Sequence, residues 1–291
     1  MAIVLGENRY GKAETRLLRV TRHGDRHEIR ELTVGVSLEG DFAAAHLRGD
    51  NSAVLPTDSQ KNTVYAFAAD RPVGEIEDFA LRLASHFVST SEAIWRATVH
   101  VDERPWERIE VGEGRHPHAF RLAGEERRQT RAVVDEGGAR VAAGLDGLVV
   151  LKSAGSEFRG FARDRYTTLQ ETSDRILATA VTARWRFATL DVDWAASFAG
   201  VRAALLRRFA GHHSLSLQQT LYEMGKAVLE AQPEVAEIRL SMPNRHHFEV
   251  DVAAFGVAGR HEVFQIADRP YGLIEGTVRR DGAPGGPTPA W

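Results

Sequence analysis

The chain has 291 residues, 43% hydrophobic and 26% charged, enough for two ordinary domains or one large one. A net charge of -3 supplies no strong basic field and argues against a nucleic-acid partner, and no apolar run approaches the roughly 20 residues needed to span a bilayer. The sequence contains no cysteine, which excludes disulfides, thiolate catalysis and Cys-based metal centres, and its first residues lack a signal-peptide pattern, so a cytoplasmic protein is expected.

Residues 15–22 (TRLLRVTR) and 28–38 (EIRELTVGVSL) flank the turn residues HGDR and predict a hairpin. After Pro56, the run Thr57-Asp58-Ser59 offers N-cap candidates for a helix to about residue 69. A second helix follows Pro72, where Ile76, Phe79, Leu83 and Phe87 recur at helical spacing, and residues 93–101 alternate as a strand. The second half reads as strands at 147–151 and 176–190, helices at 195–209 and 217–231, and strands at 237–242, 247–252 and 273–278. The order strand, strand, helix, helix, strand, strand thus occurs twice, with the division near Gly137 and Gly138. This predicts an α+β protein with antiparallel sheets carrying helices on one face, the other face being wet or meeting a neighbouring subunit. The expected domains are 1–138 and 139–280, followed by a mobile Gly/Pro-rich tail at 281–291.

Only four of the 37 basic residues are lysines: Lys12, Lys61, Lys152 and Lys226. Arginine cannot release its proton in a protein, whereas lysine can, so a retained lysine marks a place where an amine can exchange a proton. A solvated surface charge is the plain alternative. Lys12, Lys61 and Lys152 lie in segments that look chemical on other grounds. Thr57 and Asp58 stand at a predicted helix N-terminus, where free amide N–H groups favour negative charge and a hydroxyl can relay a proton. Phe158 lies among Ser, Gly and Arg, a loop setting in which its ring is either a packing partner for Phe161 or a flat stacking surface. Arg175 precedes an apolar strand, and in a pocket its planar fork would hold two acceptor atoms of one ligand. Gln218, after Ser216-Leu217 at a helix start, offers a donor and an acceptor together, which suits a ring amide edge. Pro243-Asn244 makes a turn, and His246 and His247 follow it. Adjacent strand residues point to opposite faces, so the two imidazoles make a poor metal pair, and no metal is expected; Asn244 with one inward His suits a small polar pocket.

Several segments together resemble urate oxidase (uricase). They are YGK at 10–12, TDSQKNTVYAFA at 57–68, LKSAGSEFRGFARDRYTTLQETSDRIL at 151–177, SLQQTLYEMG at 216–225 and SMPNRHHFEVD at 241–251. The resemblance runs through nearly the whole chain, and its long central piece and PN-R-H piece are the specific ones. It implies two tandem tunnelling-fold repeats assembled into a barrel-like homotetramer, with the active site at a subunit interface. It implies oxidation of urate by O2 and water to 5-hydroxyisourate and H2O2, with no metal or cofactor. Phe158 would stack on urate, Arg175 and Gln218 would grip its ring edge, and the backbones of Leu217 and Asp58 would line the site. Asn244 would hold dioxygen or water above the ring. Lys12, Thr57 and His246 would form a proton relay, with Lys12 and Thr57 supplied by the neighbouring chain. Pro56 and Leu217 depart from the Ala and Val common in that family, and Arg245 and His247 from the Lys and Tyr of some relatives. The rival readings are a pterin-handling enzyme of the same fold, and a purine-binding protein that has lost the chemistry.

Overall fold

The computed structural model describes residues 1–259, 261–267 and 269–283. The chain forms two compact units, Met1–Gly144 with Thr189–Ala195, and Leu145–Ala188 with the stretch from Ala196 onward. The expected Gly/Pro-rich tail lies, from residue 284, outside the described residues.

In the first unit, β1 (Tyr10–His23) and β2 (Arg26–Gly40) form the expected hairpin, then come α1 (Ala43–Arg48), α2 (Thr57–Asp70) and α3 (Ile76–Ser89). Strands β3 (Ile94–Arg104), β4 (Trp106–Val111), β5 (Gly114–Leu122) and β6 (Arg127–Asp135) follow, and β7 (Gly138–Lys152) begins here. The sheet order is β1-β2-β3-β6-β7, with β4 and β5 as a separate hairpin. The alternation of β2 is the physical reason for its face: Leu32, Val34, Val36 and Leu38 are all buried, while the residues between them are half-buried. α3 lays Phe79, Leu83 and Phe87 on β3 and β6.

The second unit contains the rest of β7, then β8 (Leu177–Phe187), most of α4 (Trp194–Gly211), α5 (Leu217–Ala231), β9 (Val235–Pro243), β10 (His246–Glu249), β11 (Phe264–Ala267) and β12 (Leu273–Arg279). Its sheet runs β7-β8-β9-β12, and β10 pairs with β11 apart from it. Val181, Ala183 and Trp185 of β8 and Ile238, Leu240 and Met242 of β9 are buried, as are Leu221, Met224 and Val228 of α5. α5 packs on β9 and β12 so closely that a Cβ at Gly225 would come within 2.6 Å of the Val278 side chain. The strand pairs β1–β2, β2–β3, β3–β6, β8–β9 and β9–β12 are all antiparallel, and the molecule is α+β, as predicted.

Beyond α1, β4, β5, β6 and β11, which the sequence does not predict, two expected elements sit differently. Pro56, not Thr57 or Asp58, holds the N-cap position of α2, with no side-chain cap bond; Thr57 is the first helical residue. β7 begins nine residues before the predicted 147–151 strand, because GARVAAGLDG is rich in small residues that look like loop but suit a strand buried over much of its length.

Asp135 closes the β6–β7 connection. Its carboxylate, only 5% exposed, accepts from Arg96 Nε at 2.8 Å, Arg140 Nη1 at 3.0 Å and Gly137 N at 2.9 Å. The Arg140 guanidinium, then that of Arg96, holds its carboxyl down at about 2, against 3.8 in a free chain. A carboxyl depressed in the folded state stabilises above its unfolded pKa, and that contribution is lost as pH falls toward the folded value. Asp135→Asn is therefore expected to lower the unfolding free energy at neutral pH by ~1–2 kcal/mol, the range for charge-assisted bonds. Denaturant titrations should show the gap to wild type closing as pH drops from about 5 to about 2.

Candidate functional site

The first unit supplies one cluster. β1 is bulged, its register against β2 shifting between Lys12 and Thr15, and Glu14 adopts φ 53°. A bulge re-aims side chains next to it. At Gly11 the backbone lies so close to β2 that a Cβ would meet Val36 O at 1.9 Å, so only glycine fits immediately before Lys12. Lys12 is half-buried and makes no hydrogen bond or ion pair among the described residues. α2 packs against β1 and begins with Thr57, which is exposed. The Asp58 carboxylate accepts from Lys61 Nζ at 2.5 Å and Asn62 Nδ2 at 3.0 Å. The Lys61 ammonium holds the Asp58 carboxyl below the usual range, and the charge of Lys12 adds to that effect. Lys12 and the first turn of α2 are thus electrostatic neighbours.

The second unit supplies another. Three stretches of chain are laced together by backbone bonds. Phe158 and Thr172 exchange N–H···O bonds at 2.9 and 3.2 Å, Arg175 N donates to Ser156 O at 2.8 Å, and Ser214 bonds Gly155 O at 3.0 Å and Glu157 N at 2.8 Å. The Asp174 carboxylate accepts from Gly155 N at 2.8 Å. This lacing sets the Arg175 guanidinium over Phe158, its Cζ 5.2 Å from the ring centroid. Arg175 is half-buried, its buried Nε has no partner, and no carboxylate neutralises it among the described residues. Burial pushes its pKa down, yet an arginine remains charged. The Phe158 ring also stacks on Phe161, centroids 5.0 Å apart at 12°, so the packing pair read from the sequence is present as well.

Two further elements carry candidate residues of this unit. Ser216 is the N-cap of α5, its Oγ accepting from Gln219 N at 3.1 Å, while Gln219 Oε1 accepts from Leu215 N at 2.9 Å. Leu217 therefore starts the helix with its side chain buried, and Gln218 is exposed with no hydrogen bond among the described residues. Asn244 N donates to Gly272 O at 2.8 Å and Arg245 N to Ala178 O at 2.9 Å, which ties the β9–β10 turn to the start of β8. The Asn244 side chain makes no hydrogen bond among the described residues. His246 is half-buried, its ring stacked on that of Phe248 at 5.7 Å. Burial, then the charge of Arg175, pushes the His246 pKa below 6.5, so its imidazole is neutral at neutral pH and near enough to Arg175 to feel it. The backbone carbonyl of Arg245 accepts from His247 Nδ1 at 3.0 Å. Among the described residues no group of three or more His, Asp or Glu is placed to hold a metal ion.

Of the four lysines, Lys61 pairs with Asp58 and Lys226 lies 3.7 Å from Glu230 on the surface. Lys152 Nζ donates to His212 O at 2.5 Å beside the Phe209 ring, and burial lowers its pKa. Lys152 thus ties β7 to the α4–α5 turn, and Lys12 alone is left with an uncommitted amine. The sequence reading passed over Asp174 and the cap role of Ser216. The latter had a legible signal, a serine followed three residues on by glutamine. The former had none, since its partner is a backbone amide 19 positions away.

Comparison with known proteins follows the same lines. The uricase family model matches residues 8–133 and 141–275. A uricase of Arthrobacter globiformis is 52% identical over 281 residues, covering 97% of this chain and 91% of the relative, and one of Danio rerio is 39% identical over 93% of each. The crystal structure of the Arthrobacter globiformis uricase aligns with a TM-score of 0.94 at 51% identity, covering 98% of both chains. A uricase from Bacillus fastidious shares the fold, with a TM-score of 0.82 at 24% identity. A match across both units, joined to relatives of this identity and coverage, leaves one conclusion: the chain belongs to the uricase family.

Proposed function

We propose that this chain is a urate oxidase, an oxidoreductase that converts urate, O2 and water to 5-hydroxyisourate and H2O2. The observation that carries the reading is the half-buried Arg175 guanidinium over the Phe158 ring, paired with no carboxylate among the described residues. A buried cation without a counter-ion is costly, and an anionic planar ligand bringing both charge and a flat face relieves that cost. Urate has both properties. It stacks on Phe158, and Arg175 takes two acceptor atoms at its edge. The free amide of Gln218 and the backbone of Leu217 and Asp58 complete the grip on the ring. Asn244 holds dioxygen, then water, above the ring.

The chemistry follows from the substrate. Urate is itself the electron donor, and removing a proton makes it more electron-rich, so the protein's tasks are deprotonation, alignment and stabilisation of charge. Lys12, entering the cycle as its neutral amine, takes the proton through the Thr57 hydroxyl, with neutral His246 as the third member of the relay. Two electrons then pass from the urate dianion to O2, which leaves as H2O2 after gaining two protons, and water adds to the oxidised ring carbon as hydroxide. Lys12 and Thr57 come from a neighbouring copy in a homotetramer of tandem tunnelling-fold repeats. The family membership and the uncommitted amine of Lys12 support this reading.

Lys12→Arg is expected to keep urate binding and to lower kcat at least ~10²-fold, the scale of a general acid–base step. The check is loss of urate's near-UV absorbance followed alongside oxygen uptake, and near-normal turnover would refute the relay. Arg175→Ala should instead raise KM ~10-fold or more, as expected when one partner of a buried charged contact is lost; an unchanged KM removes the grip. Because the His246 pKa is pushed down, the acid limb of the pH–kcat profile should lie below 6.5. His246→Asn should abolish that limb.

A further inference from the structure

Tyr10 is two residues before Lys12 on β1, on the near side of the bulge that re-aims the lysine. Its ring stands edge-on to Phe42, centroids 4.7 Å apart at 90°, which fixes where the phenol oxygen lies. That oxygen accepts a hydrogen bond from Leu55 N at 2.9 Å. Leu55 is two residues before Thr57. Its carbonyl is held as well, by Gln60 Nε2 at 3.3 Å, and the Gln60 side chain is fully buried in the first turn of α2. Both polar groups of Leu55 are therefore pinned, one from the strand that carries Lys12 and the other from the helix that begins with Thr57.

We infer that Tyr10 is a positioning residue for the proton relay: its hydroxyl, through Leu55, locks the Thr57 end of α2 to the Lys12 end of β1. Nothing else among the described hydrogen bonds spans β1 and the residues leading into α2. Pro56 transmits the constraint, since its fixed φ leaves little freedom between Leu55 and Thr57. Proton transfer through a hydroxyl needs the donor and acceptor held within hydrogen-bond reach, and a displacement of about 1 Å costs up to ~10²-fold in rate. Burial pushes the Tyr10 pKa up, so the group stays a neutral phenol and acts by its lone pair. It does not need to touch the substrate.

This inference rests on the relay reading above, and the experiment separates the two. Tyr10→Phe keeps the ring against Phe42 and deletes only the acceptor. It is expected to lower kcat ~10-fold, with the KM for urate changed less than ~2-fold. In a double-mutant cycle, Tyr10→Phe/Lys12→Arg should be no slower than Lys12→Arg alone, because a misplaced relay cannot be lost twice. Wild-type kcat in Tyr10→Phe beside a crippled Lys12→Arg overturns the positioning role and leaves the relay standing. Losses that multiply in the double variant, or a rise in KM at unchanged kcat, overturn it too. Near-normal turnover of Lys12→Arg itself sinks the relay and this inference with it.

Discussion

A positive charge held in a half-buried place without a negative one is what the second unit is organised around. Arg175 lies over an aromatic ring, with its Nε buried and no carboxylate paired with it among the described residues. Proteins seldom leave such a group alone, because desolvating a charge costs far more than a ring face returns. The lacing of residues 155–158, 172–175 and 214 makes sense in that light. Its backbone bonds, joined by the Asp174 carboxylate on Gly155 N, hold the guanidinium in a position it would not choose in water. Asp174 is next to Arg175 in sequence, yet its carboxylate accepts from the loop at Gly155 N and is not paired with Arg175.

The first unit solves the opposite problem, keeping an amine uncommitted. Lys12 has Asp58 for an electrostatic neighbour, but Lys61 is 2.5 Å from that carboxylate and takes it up. Three of the four lysines are thereby accounted for by partners, and Lys12 has none among the described residues.

Much of this was legible in the sequence. Strand alternation in 28–38 and helical spacing in 76–87 are driven by burial on one face, a local periodic signal, and both elements formed where expected. α5 matches its predicted span, because apolar residues at helical spacing mark its buried face. The family resemblance pointed to the right family through contiguous motifs. What was not legible depended on partners distant in sequence. β6 and the β4–β5 hairpin are half-exposed and carry many arginines and glutamates, so they lack a clean alternation. The pinning of Leu55 by Tyr10 joins residues 45 apart, and no spacing rule reports it. The N-cap of α2 falls on proline although Thr, Asp and Ser, the usual capping residues, follow it, so no side chain caps the helix.

Pro56 also sets how freely the chain enters α2. A proline at that point has no amide hydrogen and a φ of −53°, so α2 cannot wind backward by another turn and its leading peptide cannot swing between rotational states. Where the chain is already stiff, less conformational freedom is lost when that segment orders.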